Sequence, residues 1–203
     1  MCNHYAHDPV ARAALQTWRE YIGWAIDRPL PPELQTALAD IWPRRDAMVV
    51  RQGPGGAFVD VMQWGVPLTL PGKRPGTALT KYITNVRNLA SSFWSAILTD
   101  PAQRCLVPFT SFAEPMPNAG RAEAWFKIPS QPVAAFAGIW RPTDDGAVFA
   151  FLTCAPNPLV APIHPKAMPV ILHPEDYQNW LNGADAQRLA HPFPSQMMEL
   201  VPK

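Results

Sequence analysis

Cysteine at position 2 is the residue with the clearest chemical consequence in this chain. Removal of Met1 by methionine aminopeptidase, which a small second residue permits, leaves a free α-amine beside a thiol. The reference pKa values are about 7.7–8.0 for the amine and about 8.5 for the thiol, so both are nucleophilic near neutrality without extreme tuning. Such a 1,2-aminothiol condenses with an aldehyde to a Schiff base, which the thiol closes into a five-membered thiazolidine. Taken alone, a cysteine at position 2 reads as an accident of a frayed terminus. The balance is moved by polar residues set in apolar or strand-like surroundings elsewhere: Thr84-Asn85-Val86-Arg87, the run from Arg104-Cys105-Leu106-Val107-Pro108 to Phe112-Ala113-Glu114, and Ile163-His164 ahead of Met168-Pro169-Val170-Ile171-Leu172. Singly, an Asn, Glu or His is more often a turn former, a surface charge or a satisfied polar group than a catalyst.

The elements that must position these residues are read from pattern. Asp8-Pro9 has the form of an N-cap followed by a first-turn proline. Val10, Ala14, Trp18, Ile22 and Ile26 then recur on one helical face. A second short helix is expected from Glu33 to Ile41, ended by Trp42-Pro43. Ala47 to Arg51 and Phe58 to Trp64 flank Gly53-Pro54-Gly55-Gly56 and read as a hairpin. Pro67 to Thr80, with Gly72, Pro75 and Gly76, reads as loop, and Leu89 to Leu98 as a helix before Asp100-Pro101. Further strands are expected at Cys105 to Phe109, Ala124 to Ile128, Val133 to Arg141 and Val148 to Cys154. A helix follows from Pro174 through Leu181, stopped by Gly183. With no regular βαβ units and no Gly-rich phosphate loop, the expected fold is α+β: a curved, mostly antiparallel sheet or barrel-like core flanked by helices.

Bulk properties agree with one domain over residues 1–203. The hydrophobic share of 48% against 16% charged excludes a disordered or coiled-coil chain. The 25 prolines are scattered and favour short strands and fixed loops. No apolar run approaches the roughly 18 residues of a membrane span, and the opening residues lack signal-peptide order, so a cytoplasmic, monomeric protein is expected. The cysteines Cys2, Cys105 and Cys154 are odd in number and form no CxxC pair, which points to reduced thiols and no structural zinc. A net charge of +1 supplies no global field for nucleic acid, so polyanion contact must rest on a local cluster.

In order and spacing, the segments holding Cys2, Asn85, Glu114 and His164, together with Gln63-Trp64-Gly65-Val66-Pro67, resemble the SOS-response-associated peptidase family. That family includes a bacterial abasic-site shield protein and its eukaryotic relative. The resemblance covers nearly the whole chain. It implies recognition of an abasic site in single-stranded DNA and a covalent bond to its ring-opened aldehyde. In that role Cys2 supplies amine and thiol, Asn85 orients the terminus and sugar, and Glu114 and His164 move protons. No cofactor or metal is implied. For DNA contact, Arg87 is the leading phosphate ligand, with Lys81, Arg104 and Lys166 as additions and Trp64 as a base-stacking ring. The family usually opens Met-Cys-Gly-Arg, whereas Asn3 and His4 stand here; this removes a basic residue and makes phosphate contact weaker or pH-dependent. Pro115 replaces a tryptophan after the glutamate, and Pro165-Lys166-Ala167-Met168-Pro169 carries one residue more than the family's histidine segment, with lysine in place of arginine's bidentate fork. Two other functions compete: a cysteine peptidase or amidase using Cys2 with His164 as base, and a metal-binding module using Cys2, His4 and His7.

Overall fold

The computed structural model describes residues 2–8, 18–23 and 40–201. Strand β3 (Asp46–Gly53) turns into β4 (Gly56–Trp64) through Pro54-Gly55. Gly55 and Gly56 take φ of 94° and 118°, a region open to glycine at little cost. On its other side β3 pairs with β8 (Arg104–Phe109), β8 with β11 (Ala134–Thr143), and β11 with β12 (Gly146–Cys154), all antiparallel. Strand β12 then returns to β4 in parallel, through Val148 opposite Gln63 and Phe149 opposite Trp64. The five strands close on themselves, and closure leaves no edge to be covered within the ring.

Strand β1 (His4–Ala6) lies in a second, antiparallel sheet with order β15 (Glu199–Val201), β10 (Glu123–Lys127), β9 (Ser111–Pro115), β1, β2 (Asp40–Ile41). Only Thr110 separates β8 in the barrel from β9 in this sheet, and its amide and hydroxyl both donate to the Ala6 carbonyl. Between the two lies an aromatic core. Phe109 and Phe136 stack 3.9 Å apart, and Tyr5 meets Trp64 edge-on at 5.2 Å. One apolar cluster runs from Cys2 to Met198.

Short pairings complete the walls: β7 (Asn85–Val86) runs parallel to β12, β13 (Met168–Pro169) pairs with β12, and β14 (Ile171–Leu172) with β11. Helix α1 (Ser92–Thr99) is capped by the Ser91 hydroxyl. A 3-10 turn at Pro174–Asp176 leads into α2 (Tyr177–Leu181), followed by α3 (Ala186–Leu189). Gly183, with φ of 84°, lies between α2 and α3. The fold class is thus as the sequence implies, a mostly antiparallel, barrel-like core with few helices.

The expected N-terminal helix lies largely outside the described residues; of its positions that are described, Trp18 and Ile22 are buried and the Trp18 indole donates to the Val133 carbonyl. Most of the expected helix from Glu33 also lies outside them, and its end, Asp40–Ile41, is strand β2. The segment expected as loop from Pro67 to Thr80 is instead a hairpin of β5 (Val66–Pro71) and β6 (Ala78–Ile83). Its glycines and Pro75 occupy the turn, and the exposed two-stranded ladder tolerates Pro67 and Pro71 because no third strand needs their missing N–H.

Candidate active site around Cys2

Three separate segments meet at the first residues of the chain. Pairing of β1 with β9, His4 opposite Ala113, brings the terminus alongside Glu114. Parallel pairing of β7 with β12, Asn85 opposite Phe151, delivers Asn85, whose Nδ2 donates to the Cys2 carbonyl at 3.0 Å and to Thr84 Oγ1 at 2.8 Å. Asn85 Oδ1 is buried and accepts no hydrogen bond. The Trp64 indole donates to the Thr84 carbonyl at 3.0 Å, so a core ring fixes the residue before Asn85.

His164 comes from a turn over residues 157–164 that the Asn157 side chain initiates. Asn157 Oδ1 accepts from the amides of Leu159 and Val160 at 3.1 and 3.0 Å, while its Nδ2 donates to the Phe193 carbonyl at 2.7 Å. The turn ends with the His164 amide on the Val160 carbonyl. His164 Nδ1 then donates to the Ala167 carbonyl at 2.6 Å, which makes Nε2 the lone-pair nitrogen. The same Nδ1 lies 3.6 Å from Glu114 Oε2. Asn157 is a site-supporting residue that the sequence reading missed; its signal was an Asn-Pro pair with N-cap chemistry.

Burial sets the proton affinities. Cys2 is fully buried, and burial, then the Glu114 carboxylate, holds its thiol well above the usual range; Sγ donates to the His4 carbonyl at 3.4 Å. Burial pushes Glu114 up to about 7, with a smaller push from Glu123. His164 moves down, through burial and the charges of Lys166 and Arg87. Near neutrality the site therefore holds an un-ionised thiol, a carboxyl close to half protonation and a neutral imidazole. That set can donate one proton and accept another in the same step.

The expected DNA contacts divide. Arg87 and Lys166 are exposed and close enough to His164 to disfavour its charge; Arg87 also donates to the Cys154 carbonyl at 2.7 Å. Lys81 is exposed on β6. Trp64 and Arg104 are elsewhere than a DNA surface. Trp64 is 0% exposed, stacked 5.2 Å from Phe151, and has no face to offer a base. Arg104 is 2% exposed, with its guanidinium 3.7 Å over the Trp180 ring and bonded to the Leu98 and Ala184 carbonyls, and burial lowers its pKa to about 10. Residue type suggested contact with DNA; burial assigns both to the core. His4 is also buried, with its two ring nitrogens facing Glu123 and Asp40. That orientation removes it from a set with Cys2 and His7, and no metal-ligand cluster of three occurs among the described residues. Among them, no helix is long and apolar enough to cross a membrane.

The model of the SOS response associated peptidase (SRAP) family matches residues 1–202. Comparison with curated proteins gives no match. Among solved structures, the chain is similar to a protein from Bacteroides thetaiotaomicron, with TM-score 0.73 and 18% identity over 99% of this chain and 92% of that one. It is also similar to a protein from Bordetella bronchiseptica, at TM-score 0.69 and 22% identity over all of both chains. A phage-related protein from the same organism gives TM-score 0.65 and 18% identity over 100% of this chain and 94% of that one. At these identities the structural likeness is one of fold.

Proposed function

The chain belongs to the SOS response associated peptidase family, and from that premise we propose that it captures ring-opened abasic sites in single-stranded DNA as a thiazolidine on Cys2. The observation that carries this reading is the convergence of Asn85, Glu114 and His164, from three separate segments, on the residue that bears the aminothiol once Met1 is removed.

The chemistry closes as follows. The α-amine of Cys2 adds to the aldehyde carbon of the opened deoxyribose, giving a carbinolamine. Its hydroxyl leaves as water, with a proton from Glu114, whose affinity near 7 keeps a donor available at neutral pH. The resulting C=N bond is attacked by Sγ. That C=N bond is an iminium that keeps its N–H, so attack returns its electron pair to nitrogen, and the thiol proton passes to the Glu114 carboxylate just formed, directly or by way of His164 Nε2. Aldehyde and aminothiol thus become thiazolidine and water, with no change of oxidation state. Asn85 Oδ1, the buried acceptor, suits an ammonium or a sugar hydroxyl. Arg87 and Lys166 at the rim supply cations for flanking phosphates, with Lys81 further out on the hairpin.

A second reading is a cysteine-type peptidase. It draws on the pairing of His164 with Glu114, a base beside an acidic partner of the kind used to activate nucleophiles. The two separate on the free amine: a thiol peptidase tolerates retained Met1, whereas thiazolidine formation does not. The test mixes mature protein with single-stranded DNA bearing one abasic site and looks for a product that survives denaturation. Cys2→Ala abolishes it if the proposal holds; native-gel binding without any such product from wild type would refute covalent capture.

A further inference from the structure

His4 follows the nucleophile by two residues and is 6% exposed. Its Nδ1 lies 2.8 Å from Glu123 Oε2 on β10, and its Nε2 lies 3.2 Å from Asp40 Oδ1 on β2. Trp42 stacks on the ring at 3.8 Å and 21°, and Trp125 meets it edge-on at 4.5 Å. Each ring nitrogen thus faces one carboxylate, and these two contacts together with the stacked indole fix the ring in place.

We infer that His4 is a positioning residue, a clamp that ties β1 to β2 on one side and across β9 to β10 on the other, so that adduct formation on Cys2 depends on the two carboxylate contacts of its ring. This rests on Cys2 being the nucleophile. The strand fixed by the clamp is the one from which Cys2 projects, and Cys2 Sγ bonds the His4 carbonyl itself. Glu123 already raises the proton affinity of Glu114. Glu123 is therefore shared between the clamp and the Glu114 carboxyl.

The experiment measures initial adduct rates from pH 5.5 to 9 with abasic single-stranded DNA, for wild type, His4→Gln, Glu123→Gln and Asp40→Asn. Affinity for a lesion-free oligonucleotide serves as control. His4→Gln is expected to slow the adduct by roughly tenfold to a hundredfold, the usual effect of misplacing a reacting group, with lesion-free affinity unchanged. Glu123→Gln and Asp40→Asn keep the ring but each weakens one of its two contacts, and both are expected to slow the adduct by less than His4→Gln does, again with lesion-free affinity unchanged. If His4→Gln does not fold, these two variants decide. An adduct rate unchanged in the variants that fold overturns the clamp. Absence of adduct from wild type at every pH is a different failure: it removes the nucleophile itself, and the clamp's role in adduct formation with it.

Discussion

Glu114 carries the proton on which the proposed chemistry depends, and that proton is also tied to stability. Its folded pKa of about 7 stands above the ordinary 4.5, because a fully buried carboxyl resists ionisation. The stability tied to this proton is therefore fully present below about 4.5 and is lost as pH rises through about 7. His164 has the opposite sign: its lowered value contributes stability above its ordinary range near 6.5, lost as pH falls through the folded value. Glu114→Gln should then melt higher than wild type at pH 8 and lose that advantage at pH 5, while its adduct rate falls by about 10²–10⁴. Melting curves at the two pH values and single-turnover crosslinking check both halves; equal melting at pH 8 would contradict a raised Glu114. The four residues assigned to chemistry were legible because they recur in a recognisable order of segments. The environments of Trp64, Arg104 and His4 were not, since residue type carries no record of burial.

At the scale of elements, Trp64 tests what burial has done. Trp64→Phe keeps a ring in the core but deletes the bond to the Thr84 carbonyl. It should cost about 1 kcal/mol and slow adduct formation through Asn85, leaving affinity for lesion-free DNA unchanged; a loss of that affinity would restore a DNA-stacking role. On the barrel wall, an added Cβ at Gly138 would stand 2.7 Å from both Cys105 Sγ and Val107 Cγ2. Gly138→Ala should destabilise by about 1–3 kcal/mol through overpacking, measured by denaturant titration. The β3–β4 hairpin was readable because Gly-Pro-Gly-Gly sits between two short, Val-rich runs. The β5–β6 hairpin was not, because its prolines and glycines signal loop as strongly as turn. Strands of two or three residues, such as β1, β2, β7, β13 and β14, are too short to show any period, yet β1 and β7 are the ones that carry Cys2 and Asn85 into place.

For the molecule as a whole, the return of β12 to β4 closes the barrel and is invisible locally, since those strands are more than eighty residues apart and pair in parallel. With a net charge of +1, the proposed DNA affinity rests on a local cluster of cations rather than on a global field. Removing Arg87 and Lys166 together should flatten the dependence of log affinity on log salt by about 0.7 per lost contact. Arg104→Met should leave that slope unchanged, because its guanidinium is buried against Trp180. Fluorescence anisotropy across a salt series reads both. Intact-mass analysis of the protein after incubation with abasic single-stranded DNA, comparing mature chain, chain retaining Met1 and Cys2→Ala, bears most directly on Cys2. Covalent capture by the aminothiol gives an adduct one water lighter than the sum of protein and DNA from the mature chain alone; an adduct of equal yield from the chain retaining Met1 would contradict it.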